Sequence, residues 1–301
     1  MPRRRIKQKK TKKPKNKFIK LLAVLLITAI AAIIIVSRLG WDRKENIAIA
    51  YPSGQSVVVS VLVPRSNEIY NIIIPSDTEV ASARNLGEWK LGSVWQLGYN
   101  EKLKGKLLAE TVTKNFYFPT IYWAGEKVSN TLNDGFFQGI VSLIIPFDTN
   151  LSFGDKLNIF IFSQKVPENK YIDINLEESS AIKKTTLTDG SSGYVIERKP
   201  EQSLLSLFNN AEIVENARIV QIKDGTGSMN YIENLTQLMW VLGANVTSIV
   251  PGDDVKECTV ESEKKEASEK VAQLLNCKAI RKEKGEYDLI ISLPADHLNV
   301  F

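Results

Sequence analysis

Histidine and cysteine are nearly missing from this chain: of 301 residues one is His297, and the two cysteines are Cys258 and Cys277. A lone histidine five residues from a terminus expected to fray gives a Ser-His-Asp relay no firm support. Three such ligands without tight C-x-x-C spacing do not make a tetrahedral zinc set, so no metal is expected. Acid is missing from one end, since residues 1–20 hold eleven of the thirty-nine Lys and Arg and none of the thirty-four Asp and Glu. The remaining residues therefore carry a net charge of −6. The whole-chain pI of 8.9 thus describes one end and does not mark a nucleic-acid binder. Residues 1–17 contain no aromatic side chain on which a base could stack, so no nucleic-acid partner is expected. Arginine is absent from residues 85–197. At 44% hydrophobic and 24% charged residues, the chain is too apolar for wholesale disorder and long enough for one or two domains.

One long apolar run is present. Residues 18–36 (FIKLLAVLLITAIAAIIIV) carry a single charge, Lys20, near the end where a long side chain can reach the headgroups. At about 1.5 Å per helical residue the run spans roughly 28 Å, close to the hydrocarbon thickness of a bilayer. Residues 18–37 are therefore expected to be a transmembrane helix, with 1–17 as a basic cytoplasmic tail. The positive-inside rule places everything beyond about residue 40 across the membrane. A cleaved signal peptide is the competing reading, with Ala48 and Ala50 as an A-x-A site, but the apolar run exceeds the usual h-region of about 7–15 residues. The expected localisation is the plasma membrane, single-pass, with membrane lipid as a partner. On the outer side thiols oxidise, so Cys258 and Cys277 are expected to form a disulfide.

Beyond a short polar stem, residues 56–64 (SVVVSVLVP) and 69–75 (IYNIIIP) read as a strand hairpin. Leu103, Leu107, Leu108 and Val112 recur at helical spacing over 101–114. Ser152 followed by Asp155 reads as a capping box opening another helix. Residues 185–193 (TTLTDGSSG) read as turn chemistry, and 201–216 as a linker. From Ala217 the pattern sharpens. A strand (218–222), a turn and a helical face of Ile232, Leu235, Leu238, Met239 and Leu242 are followed by Gly243 and a strand at 246–250. This order predicts a right-handed βαβ unit. A short strand at 257–261, a second helical face of Ala267, Val271, Leu274 and Leu275, and a strand at 287–293 complete it. The fold class is α/β, a single N-terminal transmembrane helix followed by two extracytoplasmic α/β domains, 45–200 and 217–301.

The segments RIVQIKDGTG, LMWVLGANVTSIV and YDLIISLPADH resemble the C-terminal domain of LytR-type cell-envelope proteins, with Asp224 where the family has Asn. The preceding part resembles the catalytic domain of the LytR-CpsA-Psr family. There a hairpin leads into Ile-Pro-Arg-Asp-Thr, and here it leads into Ile74-Pro75-Ser76-Asp77-Thr78, then Lys90-Leu91 and Leu97-Gly98. The resemblance implies enzymes that hold a polyprenyl pyrophosphate-linked glycan among arginines and aspartates and pass the glycan phosphate to the cell wall. Arginine suits that work because its planar fork grips phosphate at two points. This chain departs from the pattern: Ser76 replaces the arginine, no later arginine motif exists, and residues 46–57 lack the family's Gly-x-Asp-Ser-Arg.

Asp77, Arg84 and Lys90 remain as candidate ligands for a phosphate or a metal ion. Phe116, Phe118, Tyr122 and Trp123 either line a lipid groove or, as we expect, fill the core. Gly225, Thr226 and Gly227 follow a strand and open a helix whose amides could take an anion. The bland alternative, favoured here, is a tight turn needing glycine. The expected function is a degenerate, non-catalytic envelope module that binds or scaffolds cell-wall polymer or assembly proteins. The alternative is an active polyprenyl-phosphate glycan phosphotransferase, and only that reading calls for Mg²⁺; otherwise no cofactor is expected.

Overall fold

The computed structural model describes residues 40–132, 135–252 and 254–299. The expected transmembrane helix and basic tail lie outside the described residues. Among the described residues no helix is long and apolar enough to cross a membrane.

The expected hairpin forms, as β2 (Ser56–Val63) antiparallel to β3 (Glu68–Pro75). The polar stem, however, contains a strand: β1 (Ile47–Ser53) pairs with β2 along its whole length. Short strands flank this meander, β6 (Tyr122–Trp123) parallel to β1 and β7 (Tyr171–Asn175) parallel to β3. The side chains of β2 alternate between faces, as the pleat requires. Val57, Val59 and Val61 join one core with α1 (Leu91–Asn100) and α2 (Lys106–Phe116). Val58 and Leu62 join another core, which includes Ile159 and Phe162 of α4 (Phe153–Ser163). The sheet is thus covered on both faces, which explains a strand hydrophobic at nearly every position. A further helix, α3 (Gly135–Ile144), packs beside α4.

The helix expected from residue 101 begins at Lys106, and residues 101–105 form a turn after α1. The expected capping box is present, the Asp155 amide donating to Ser152 Oγ and the Ser152 amide to the Asp155 carboxylate. Residues 185–193 are more than a turn, because their flanks belong to β8 (Ile182–Thr186) and β9 (Ser192–Ile196). With β4 (Thr78–Ala81) and β5 (Glu88–Lys90) these make a second sheet, in the order β5-β4-β9-β8.

The C-terminal unit follows the expected βαβ path. Strand β10 (Ile219–Asp224) is parallel to β11 (Asn245–Pro251), with α5 (Met229–Leu242) between them and Gly243 as its left-handed C-cap at φ 96°. The sheet order is β11-β10-β14-β12-β13, where β12 is Thr259–Ser262, β13 Lys278–Arg281 and β14 Leu289–Leu293. With α6 (Lys265–Leu275) it closes a second core. Residues 201–216 are packed: Leu204, Leu205 and Phe208 belong to the first core and Ile213 to the second.

Candidate functional site

Asp77, Arg84 and Lys90 all come from the strands and turns of the second sheet, and the structure gives each separate partners. Arg84 sits at φ 61°, and this left-handed backbone turns its guanidinium onto α2. Its Nε donates to Glu110 Oε2 at 2.7 Å and its Nη2 to Glu110 Oε1 at 2.8 Å. Glu110 is buried, and Asn276 of the C-terminal unit also donates to its Oε1, at 2.7 Å. The charge-assisted fork raises the Arg84 pKa, and the same carboxylate carries the Asn276 bond that links the two units. Lys90 Nζ lies 2.8 Å from Asp189 Oδ2 and donates to Ser191 Oγ at 2.7 Å. Those contacts hold the Asp189 carboxyl well below its usual range. Asp77 contributes its carbonyl to the Tyr194 amide at 3.2 Å.

Of the proposed groove aromatics, Phe116 and Phe118 are fully buried and Phe118 stacks on Phe208 with centroids 4.8 Å apart. Trp123 is buried and belongs to the same core. Tyr122 lines a cleft of about 710 Å³ between the stem and the two units. Around this cleft three distant segments meet. Trp41 donates its amide to Asp155 Oδ1 at 2.7 Å and its indole N–H to the Glu45 carbonyl at 2.8 Å. The Glu45 carboxylate receives Asn210 Nδ2 at 3.0 Å and pairs with Lys270. Burial draws the Lys270 ammonium down to about 8, with the charge of Asp42 opposing. Apolar Ile47, Phe208 and Leu274 line the cleft together with these polar groups. Sequence reasoning missed the cleft because Glu45, Asn210 and Lys270 share no pattern in the chain.

At the C-terminal turn, one carboxylate oxygen, Asp224 Oδ1, accepts the Thr226 amide (2.7 Å), the Thr226 hydroxyl (2.6 Å) and the Gly227 amide (3.3 Å). Those amides already hold an anion from their own chain. Gly225 is required sterically, because a Cβ there would stand 2.6 Å from the Leu293 carbonyl oxygen. Gly227 has φ +65°. The features support a tight turn.

Cys258 and Cys277 lie at disulfide distance, with Cα atoms 4.8 Å apart. His297, expected to sit on a fraying terminus, is instead buried in the turn Ala295–Asn299. Its Nε2 stands 3.7 Å from Cys258 Sγ and 3.8 Å from Cys277 Sγ. The expected cysteine pair therefore has His297, which the sequence did not place beside it, as a neighbour.

No protein-family model and no curated protein matches the sequence. Among solved structures, the chain is similar to TagV of B. subtilis at 10% identity, covering 68% of this chain and 100% of that one with a TM-score of 0.38. It is similar to TagT of B. subtilis at 12% identity, covering 52% and 86% of the two chains with a TM-score of 0.37. It is also similar to the LytR-CPS2A-psr family protein YwtF (TagT) with bound octaprenyl pyrophosphate lipid, at 11% identity over 52% and 86%, TM-score 0.34.

Proposed function

We propose that residues 18–37 anchor this protein in the membrane, that its two α/β units stand on the outer side, and that it serves cell-wall assembly as a binding or scaffolding module. The apolar run and the charge asymmetry support the placement. The sequence resemblance to LytR-type envelope proteins supports the setting.

The observation that carries the non-catalytic reading is the Arg84–Glu110 fork. An enzyme transferring a glycan phosphate needs cationic donors free to follow charge developing on phosphate oxygens. Here the arginine nearest the Ile-Pro-Ser-Asp-Thr segment is bound at two points by a buried carboxylate, and Lys90 is held by Asp189 and Ser191. A filled aromatic core, Phe116 on Phe118 on Phe208, occupies the place where a lipid groove would need space. The 710 Å³ cleft, which has Phe208 and Tyr122 in its wall but none of Asp77, Arg84 and Lys90, opens beside the stem, where a guest presented at the membrane surface could enter.

The test is incubation of the full chain, reconstituted in vesicles, with undecaprenyl-pyrophosphate-linked glycan, Mg²⁺ and peptidoglycan. The expected result is retention of glycan without release of polyprenyl phosphate. Turnover that disappears in Asp77→Asn would establish the transferase instead.

A further inference from the structure

Helix α3 is folded inside out. Its sequence, GFFQGIVSLI, contains no charged residue, yet the side that faces the protein presents Gly139 and Ser142. The Ser142 hydroxyl is hydrogen-bonded with Thr131 Oγ1 at 2.7 Å, and Gly139 rests against the Phe160 ring so closely that a Cβ would lie 2.3 Å from it. The large apolar side chains point outward: Phe137 is 82% exposed and Ile144 75%, with Phe136, Val141 and Ile145 beside them. Phe153, at the start of α4, is 53% exposed. Isolated exposed apolar residues are ordinary, but here four on an uncharged helix, Ile145 just after it and Phe153 on α4 turn outward around one corner, a patch that marks an interaction surface.

The chain's own path indicates what meets that surface. Gly40 packs against the backbone of Gly154 and Asp155, immediately after Phe153. Trp41 is fastened to the same helix, its amide to Asp155 and its ring edge-on to Phe162 at 5.5 Å. The apolar segment 18–36 ends at Val36, four residues before that attachment. Four extended residues reach at most about 14 Å. Wherever that segment enters a bilayer, the exposed corner is held within a short distance of the same surface.

We propose that the exposed face formed by α3 and Phe153 lies in the outer lipid surface, inserted to the level of the acyl-chain boundary as an interfacial helix. This rests on the reading of residues 18–37 as a membrane anchor. The apolar segment fixes how far the folded mass can drift, and the inserted face fixes its tilt. The cleft lined by Trp41, Glu45 and Tyr122 shares that attachment and is thereby held next to lipid headgroups.

The test is photocrosslinking of the full chain in vesicles of phosphatidylglycerol and phosphatidylethanolamine. Benzoylphenylalanine replaces Phe137 or Ile144, with Trp89 as the comparison site. Trp89 is 40% exposed on β5 of the second sheet, which continues from the end of β3 away from the stem. All three side chains reach solvent, and the Trp89 replacement gives up only the indole hydrogen bond to the Leu86 carbonyl in an exposed turn. The expected result is flotation of every variant with the vesicles, and lipid adducts at 137 and 144 exceeding those at 89 by about tenfold. Flotation with equal, low lipid adduct at all three positions, or with adduct to a second copy of the chain at 137, would overturn the inserted face while leaving the anchor standing. Failure to float would overturn the anchor reading and the inference with it.

Discussion

Arg84 and Glu110 meet through two parallel hydrogen bonds, Nε to Oε2 at 2.7 Å and Nη2 to Oε1 at 2.8 Å, and Asn276 adds a third contact to the same carboxylate from the other unit. Lys106, one helical turn before Glu110, stands 3.8 Å away. A carboxylate so surrounded is a structural hub joining the second sheet, α2 and the C-terminal unit, and it engages the Nε and Nη2 side of the Arg84 guanidinium.

Removing the arginine should therefore show as lost stability. Arg84→Ala strands a nearly buried carboxylate. Because about a quarter of the Arg84 side chain still meets solvent, the expected cost is on the order of 2 kcal/mol, below the figure for a fully buried pair. Arg84→Lys should lie between, since it restores charge without the fork. Urea unfolding measures both, and a variant as stable as the parent would mean that Arg84 is free for a ligand.

The cysteine pair closes a loop with a sequence separation of 19 residues. In the oxidised protein, denatured without reductant, thiol titration should find no free thiol. Reduction should lower stability by about 3 kcal/mol on the chain-entropy account. Two titratable thiols would remove the pair.

Because His297 is the only histidine, its imidazole gives a single NMR titration. Burial lowers its pKa from 6.5, while the charge of Asp296 and a backbone hydrogen bond with Leu275 pull the other way. The unfolded chain thus takes up this proton before the folded one does, so stability is lost as pH falls below 6.5. The imidazole midpoint should lie below 6.5, and His297→Gln should remove this part of the pH dependence. A midpoint at or above 6.5 would show that the C-terminal turn is open to water.

Asp155 closes the cap of α4 and holds the stem through the Trp41 amide. Asp155→Ala removes both contacts and should cost about 2 kcal/mol. Hydrogen exchange should reveal the first turn of α4 and residues 40–46 loosening together. Loosening of the helix alone would show that Trp41 is held by other contacts.

The C-terminal unit was legible because its helical faces and strands follow their periods over whole elements, and Gly243 stops α5 where the pattern ends. Strand β1 was not: IAIAYPS follows a charged stretch and contains small alanines, and its extended form comes from pairing with β2. Helix α1 was hidden by Gly92 and Gly98, which look like breakers. Gly92 is required by contact, a Cβ there falling 2.7 Å from Ser76 Cβ. Strand β13 reads KAIR, an edge strand whose charges conceal its pairing with β12. At the site, the residue types were legible and their engagements were not. Arg84 and Glu110 stand 26 positions apart and Glu110 and Asn276 stand 166 apart, distances that no local pattern connects.

The placement of the folded mass across the membrane underlies the oxidised cysteine pair, the inserted face and the role in the wall. It is tested most directly by fusing alkaline phosphatase, which matures only after export, behind Phe301, with a cytosol-active fluorescent protein at the same position as the paired measurement. The account predicts an active phosphatase and a dark fluorescent fusion; a silent phosphatase with a bright fluorescent fusion would contradict it.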